Sequence, residues 1–209
     1  MKFLISAGPT REAIDSVRFI TNGSTGKMGV AVAQIAIDAG HEVLLLAGPG
    51  VISNETIPRE NFTSVEDLQN ALAKNFANCD ALIMSAAVGD FTVQNIAGRK
   101  LSRHAGPISL TLEPTPDLLA GISKQKTDSQ LICAFAVEDG SQDEIEAKAK
   151  MEMQKKGADF SVVNTPSAMG ADNSLACIMS PEKVELPWNT RSKSQLAVEI
   201  IKLLENKQR

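Results

Sequence analysis

One stretch constrains the fold of this chain more than any other. Residues 8–29, GPTREAIDSVRFITNGSTGKMG, lie between an apolar first strand at residues 2–6 and the start of a helix at Gly26. A glycine-rich connection from strand to helix is where an open α/β sheet takes up phosphate. Glycines let a ligand approach the backbone, and the helix start offers unpaired N–H groups and the positive end of its dipole. Gly23, Gly26 and Gly29 surround Lys27, which adds a full positive charge, so the stretch reads as an anion cradle. Two phosphate motifs fail against it. A Walker loop needs four residues between its first Gly and a Gly-Lys pair, then Ser or Thr, whereas Gly23 stands three before Gly26 and Met28 follows Lys27. A dinucleotide fingerprint has its glycines directly after the first strand, but here roughly twenty residues intervene. They carry Thr10, Arg11, Glu12, Asp15, Arg18 and Asn22, a polar load that is either a solvated connection or part of a ligand face.

The rest of the chain alternates between short apolar runs and helical patterns. A helix over 26–39 is apolar around most of its circumference (Val30, Val32, Ala33, Ile35, Ala36, Ile37), as expected of one sandwiched against a sheet. Strand 43–46, a helix over 65–76 capped by Ser64 with Asp67 three positions on, and strand 81–84 complete a β-α-β-α-β unit. Residues 86–106 have no strong period and carry Arg99, Lys100 and Arg103. A loop of that length at the carboxyl end of a central strand predicts a mobile functional flap. Strand 108–112, a helix over 116–124 started by Thr115 or Pro116, strand 131–137, a charged helix over 141–156, strand 160–163, a hairpin of 175–180 with 184–186 and a last helix over 192–204 follow. The pattern predicts a single α/β domain over 1–209, a modified Rossmann-like fold with a mainly parallel central sheet flanked by helices and a flap.

Composition narrows function mainly by exclusion. A net charge of −4 gives no general attraction to nucleic acid or to an acidic membrane surface, so basic residues act locally. No N-terminal signal segment or apolar run of membrane length is present, which predicts a cytoplasmic protein. Cys79, Cys133 and Cys177 sit in apolar surroundings without metal-ligand spacing and are expected to be buried, reduced thiols. His41 and His104 are expected at the surface.

Several motifs together resemble a known family. Gly8-Pro9-Thr10-Arg11-Glu12, Asp15-Ser16-Val17-Arg18-Phe19-Ile20-Thr21-Asn22 and Ser24-Thr25-Gly26-Lys27-Met28-Gly29 resemble the opening of the phosphopantothenate–cysteine ligases of coenzyme A biosynthesis. Ala86-Ala87-Val88-Gly89-Asp90-Phe91 is similar to the family's Ala-Ala-Val-Ala-Asp-Tyr, and Lys100-Leu101 to its Lys-Ile pair. Pro116-Asp117-Leu118-Leu119, Phe135-Ala136-Val137-Glu138 and Lys156-Gly157-Ala158-Asp159 match later motifs in order, so the resemblance spans essentially the whole chain.

The resemblance implies a ligase that joins 4′-phosphopantothenate to L-cysteine through an acyl-nucleotide, using CTP, or ATP as the alternative, with Mg²⁺. It implies that Lys100 serves the first half-reaction, with Arg99 a rival on charge and a solvated loop cation the plainer reading. Asn22 is implied to handle the activated intermediate, although Asn22-Gly23 alone is a common turn pair. Gly26, Lys27, Met28 and Gly29 are implied to meet phosphate, and Met84, Ser85 and Ala86 to line the nucleotide, with Asn22, Ala86 and Ala87 on the acyl substrate. Asp90 (otherwise a cap), Pro116, Asp117, Leu118, Leu119, Phe135 (otherwise core) and Lys156 (otherwise a helical surface lysine) complete the nucleotide set. No metal-ligating side chain follows from the pattern. The sequence departs from the family where a second lysine precedes Lys156 by one turn: Glu152 stands there, with Lys148 and Lys155 nearby. A homodimer is implied, as are a stand-alone form without the fused flavin-dependent decarboxylase, hence no flavin, and a separate phosphopantothenoylcysteine decarboxylase as pathway neighbour. Two rivals are an NAD(P)-dependent oxidoreductase, which the absence of any Tyr deprives of a Tyr-Lys pair, and a non-catalytic nucleotide-binding module.

Overall fold

The computed structural model describes residues 1–208; Arg209, the last residue of the domain expected over 1–209, lies outside the described residues. The strands are β1 (Lys2–Ala7), β2 (Arg11–Ala13), β3 (Phe19–Thr21), β4 (Glu42–Ala47), β5 (Arg59–Asn61), β6 (Ala81–Met84), β7 (Phe91–Val93), β8 (Leu112–Pro114), β9 (Leu131–Val137), β10 (Phe160–Asn164), β11 (Asn173–Met179) and β12 (Val184–Ser192). The α-helices are α1 (Lys27–Asp38), α2 (Val65–Asn75), α3 (Leu118–Ser123), α4 (Gln142–Lys156) and α5 (Lys193–Gln208). Eight strands form one sheet in the order β12-β11-β10-β9-β6-β1-β4-β5. The six from β10 to β5 run parallel, and the β11–β12 hairpin closes one edge antiparallel.

Strand periodicity sorts the core into two layers. Phe3, Ile5 and Ala7 face the layer containing Val32, Ala33 and Ala36 of α1 and Leu196, Ile200 and Leu204 of α5. Leu4, Leu82 and Ile132 face the opposite layer, built from Leu68 and Leu72 of α2, Leu118 and Ile122 of α3 and Ile145 and Ala149 of α4. Both faces are covered, which is why these strands read as continuous apolar runs. The expected capping at Ser64 is present as a reciprocal box with Asp67, and Ser141 with Glu144 makes a second one at α4.

Four local expectations are corrected. The polar insertion after β1 folds into the β2–β3 hairpin, with Arg11 stacked on Phe19 at 4.2 Å and the buried Glu12 accepting from the Val65 N–H at the start of α2. Residues 108–111 are not a strand: Ile108, Leu110 and Leu112 are exposed, because no layer lies beneath the alternating face, and pairing begins at Leu112. Helix α3 starts two residues later than the proline suggests, because Asp117 is its N-cap and accepts from the Ala120 N–H. His41 is largely covered, packed on Phe3 and 2.8 Å from Glu205, whereas His104 is exposed. The three cysteines are buried and free, and burial pushes each thiol up to about 12. Among the described residues no helix is long and apolar enough to cross a membrane.

Candidate active site

The chain leaves β1 through α1 to β4 on one side, and returns through α2 to β6 on the other. The strand order therefore reverses between β1 and β6, and open α/β sheets bind ligands in the crevice at the carboxyl ends of such strands. A cleft of about 530 Å³ lies there, within the roughly 300–1,000 Å³ typical of small-molecule sites.

Its floor is locked by short-range chemistry. Ser85 Oγ donates to the Ser6 carbonyl at 2.6 Å, and the Ala86 N–H donates to Ser6 Oγ at 3.2 Å. Gly26 caps α1 at φ +73°, and a Cβ at Gly29 would lie 2.5 Å from both Ala7 Cβ and Ser85 Oγ. Gly29 thus lets the helix seat on the strand ends, while Gly26 supplies the left-handed turn that starts it.

The cleft is lined by Asn22, Gly26, Lys27, Met28, Gly29, Met84, Ser85, Ala86, Ala87, Asp90, Pro116, Asp117, Leu118, Leu119, Phe135 and Lys156, which come from well-separated segments of the chain. Lys100 does not line it and is exposed on the flap. Next to Lys100, Leu101 is tied down. Its N–H donates to Asp15 Oδ2 at 3.0 Å and its carbonyl accepts from Arg18 at 2.9 Å, while Arg18 also pairs with Asp15. The Arg18 guanidinium, with backbone N–H donors including that of Leu101, holds the Asp15 carboxyl far below the usual carboxylate range. Asn22 donates through Nδ2 to the carbonyls of Ala87 and Val88 at 3.2 and 3.1 Å, so its Oδ1 accepts from no described residue and is the group left for a ligand.

Charge is arranged differently on the two faces of the sheet. On the α3/α4 side, Lys156 Nζ lies 3.0 Å from Glu152 and 3.4 Å from Asp117. Burial opposes its charge, but the hydrogen bond to Glu152 and the fields of Asp117 and Glu152 outweigh burial and hold it above the ordinary lysine range. On the α1/α5 side, Lys27 Nζ meets Asp172 at 2.7 Å, and Lys193 lines the same cleft.

Sequence reasoning missed Lys193, Asn164 and the loop between β10 and β11, from which Ala168, Met169 and Gly170 reach the cleft. Asn164 ends β10, and its buried Oδ1 has no partner among the described residues. The signal was present in outline: Asn164 stands at the carboxyl end of a buried strand parallel to those that carry Met84 and Phe135.

Among the described residues no group of three or more His, Cys, Asp or Glu is placed to hold a metal ion. Asp117 is engaged with its helix and Lys156, which leaves Asp90 as the open carboxylate of the cleft. These residues fit a cation carried in on phosphate oxygens better than a protein-built cage.

Comparisons with known proteins agree with this architecture. The family described as DNA/pantothenate metabolism flavoprotein C-terminal domain matches residues 1–207. The chain is 37% identical over 209 residues to the coenzyme A biosynthesis bifunctional protein CoaBC of Bacillus subtilis (strain 168), covering 95% of this chain and 49% of that protein. It is 34% identical over 208 residues to a cysteine/cysteine sulfinic acid decarboxylase of an unknown prokaryotic organism, covering 96% of this chain and 57% of that protein. The chain thus spans about half the length of the curated relatives it matches. The crystal structure of the C-terminal domain of coenzyme A biosynthesis bifunctional protein CoaBC superposes with a TM-score of 0.82 at 31% identity, over 99% of this chain and 94% of that one.

Proposed function

The chain belongs to the family of DNA/pantothenate metabolism flavoprotein C-terminal domains, and from that premise we propose that it is a phosphopantothenate–cysteine ligase using CTP in preference to ATP. The observation that carries this reading is the convergence, on one cleft at the β1/β6 reversal, of motif positions drawn from across the whole chain.

The reaction follows from the difficulty of attacking a carboxylate. A carboxylate oxygen of 4′-phosphopantothenate attacks the α-phosphorus of the nucleoside triphosphate, and the bond from that phosphorus to the bridging oxygen breaks. Pyrophosphate leaves with the electron pair. The amine of cysteine then attacks the acyl carbon of the mixed anhydride, the carbon–oxygen bond to the nucleotide breaks, and nucleoside monophosphate departs as the amine loses its proton to solvent. Catalysis of this kind rests on positioning and charge neutralisation. In this reading Asn22 Oδ1 orients the activated acyl group beside Ala86 and Ala87. Gly26, Lys27, Met28 and Gly29 receive phosphate at the start of α1, and Phe135 and the start of α3 flank the nucleoside. Lys100 serves the first half-reaction when the flap brings it over the cleft, and Asp90 is the carboxylate that would meet Mg²⁺ borne by the phosphates. That ion supplies further charge neutralisation; no flavin enters the reading.

The exposed apolar side chains of the flap and of the segment that follows it, Phe91 and Ile96 with Ile108, Leu110 and Leu112, support a homodimer in which a second copy covers them. Sedimentation measures that directly. The reaction is tested by mixing the protein with phosphopantothenate, cysteine and each nucleoside triphosphate, then following pyrophosphate and product mass. Phosphopantothenate-dependent pyrophosphate release, greatest with CTP, is the expected result. An oxidoreductase or a non-catalytic module releases none, and that outcome ends the proposal.

A further inference from the structure

Lys27 and Lys193 open the two helices that pack on the same face of the sheet, so the fold brings two ammonium groups to one wall of the cleft. Asp172 is the carboxylate between them. Its side chain meets Lys27 at 2.7 Å, and its backbone carbonyl accepts from the Lys193 N–H at 3.1 Å. The Lys193 ammonium is half-buried and finds neutral acceptors, the Ala168 carbonyl at 3.2 Å and Ser174 Oγ at 3.5 Å. Burial first, and then the charge of Lys27, pull Lys193 below the ordinary lysine range against the opposing pull of Asp172. Two cations thus face one carboxylate, beside a helix start whose side chains supply no cap. The opposite wall has the reverse balance, with two carboxylates on Lys156.

We propose that Lys27 and Lys193 form the site for the leaving pyrophosphate, with the Asp172 carboxylate occupying the place of a phosphate on Lys27 until the nucleotide displaces it. The identity of the nucleotide rests on the ligase reading; the affinity of the wall for a polyphosphate does not. The displacement is feasible because the Lys27–Asp172 pair is largely exposed, and such pairs are weakly held. A polyphosphate offers both ammonium groups an oxygen at once and relieves their mutual repulsion. As the bond between the α-phosphorus and the bridging oxygen breaks, charge builds on the departing β-phosphate, and this wall carries the surplus positive charge that neutralises it.

The test is calorimetric titration of inorganic pyrophosphate into the protein and its variants, with pyrophosphate product inhibition measured alongside wherever activity is present. Lys193→Gln is expected to weaken pyrophosphate binding by about tenfold or more, as for loss of a hydrogen bond to a charged group. Lys193→Arg, which keeps the charge, is expected to remain within about threefold of the parent. Asp172→Asn is expected to tighten binding, because the competing charge is removed while the side-chain shape stays. Unchanged affinity in Lys193→Gln with its thermal transition intact overturns the proposal, as does weaker binding in Asp172→Asn. A protein that binds pyrophosphate in this pattern but makes no product refutes the ligase reading alone; one that makes product while the variants leave binding unmoved refutes this site alone.

Discussion

The floor of the cleft and the flap beside it are built by different means. The floor consists of strand ends buried on both faces, locked by the Ser6–Ser85–Ala86 hydrogen bonds and by a helix that only glycine at position 29 allows to seat. The flap is a two-stranded ribbon whose apolar side chains, apart from the buried Val93, are exposed, held to the body by few side-chain bonds. Asp15 holds Leu101, Glu12 accepts from Thr92 at 3.1 Å, and Thr115 donates to the Gly89 carbonyl at 2.6 Å. A floor of this kind is preorganised for positioning, whereas the flap can change place by breaking a handful of bonds. Chemistry that must exclude water until reactants are bound belongs on the second element, and that is where Lys100 is found.

The sharpest test of this contrast is Lys100→Ala. An exposed flap lysine contributes little to the core, so the thermal transition is expected to stay in place while acyl-nucleotide formation falls by about 10²–10³, as for loss of one charge-stabilising donor. Normal pyrophosphate release by this variant would falsify a role for the flap in the first half-reaction.

Beside the floor, Asn22→Ala is expected to act on the second half-reaction, with a loss of about 10²-fold in overall turnover. Among the described residues the Asn22 side chain bonds the carbonyls of Ala87 and Val88, and because it is assigned to the activated acyl group and not to the first phosphate step, phosphopantothenoyl-nucleotide should accumulate and be visible by mass spectrometry. Equal loss of both half-reactions with no trapped intermediate would instead make Asn22 a brace for the loop after β6.

The same division explains what the sequence made legible. The floor was readable because each feature has a local cause: buried runs such as 131–137 form strands, Ser64 with Asp67 caps a helix, and glycines mark the close approach at α1. The apolar alternation at 108–112 misled because alternation reports an apolar face without saying what covers it. Lys193 escaped notice for a different reason. Nothing near it resembles a motif, and its place in the cleft comes from α5 packing beside α1, a contact between the two ends of the chain.

Asp15→Asn loosens the flap without touching the cleft. The amide can keep the acceptor for the Val17 and Arg18 N–H groups but puts an NH₂ where Oδ2 now accepts from Arg18 and Leu101. A loss of about tenfold in kcat/KM is expected, together with faster hydrogen exchange at the Leu101 amide. The pH dependence has a definite sign. The folded carboxyl is held below its unfolded value of 3.8, so its stabilisation is fully present above that value and is lost as pH falls through the lower folded value. Protection of Leu101 should therefore be flat through neutral and mildly acidic pH in the parent. If it fades near neutrality, Asp15 is not what anchors the flap.

The smallest expected effect separates the two walls of the floor. Glu152 lies 3.0 Å from Lys156 and, with Asp117, makes that wall the neutralised one. Glu152→Lys removes one of these carboxylates, frees Lys156 for phosphate and adds a second cation one helical turn away, while leaving Asp117 in place as a partner. The cost is a like-charge pair on the surface of α4, a few tenths of a kcal/mol in helix stability. A flexible ammonium acts as a point charge and reads little of a base, so apparent KM for CTP should fall by about threefold while the ratio of CTP to ATP use stays the same. A changed ratio would place Glu152 against the base. An unchanged KM would mean that phosphate never reaches this wall and that the surplus charge at Lys27 and Lys193 holds the triphosphate alone.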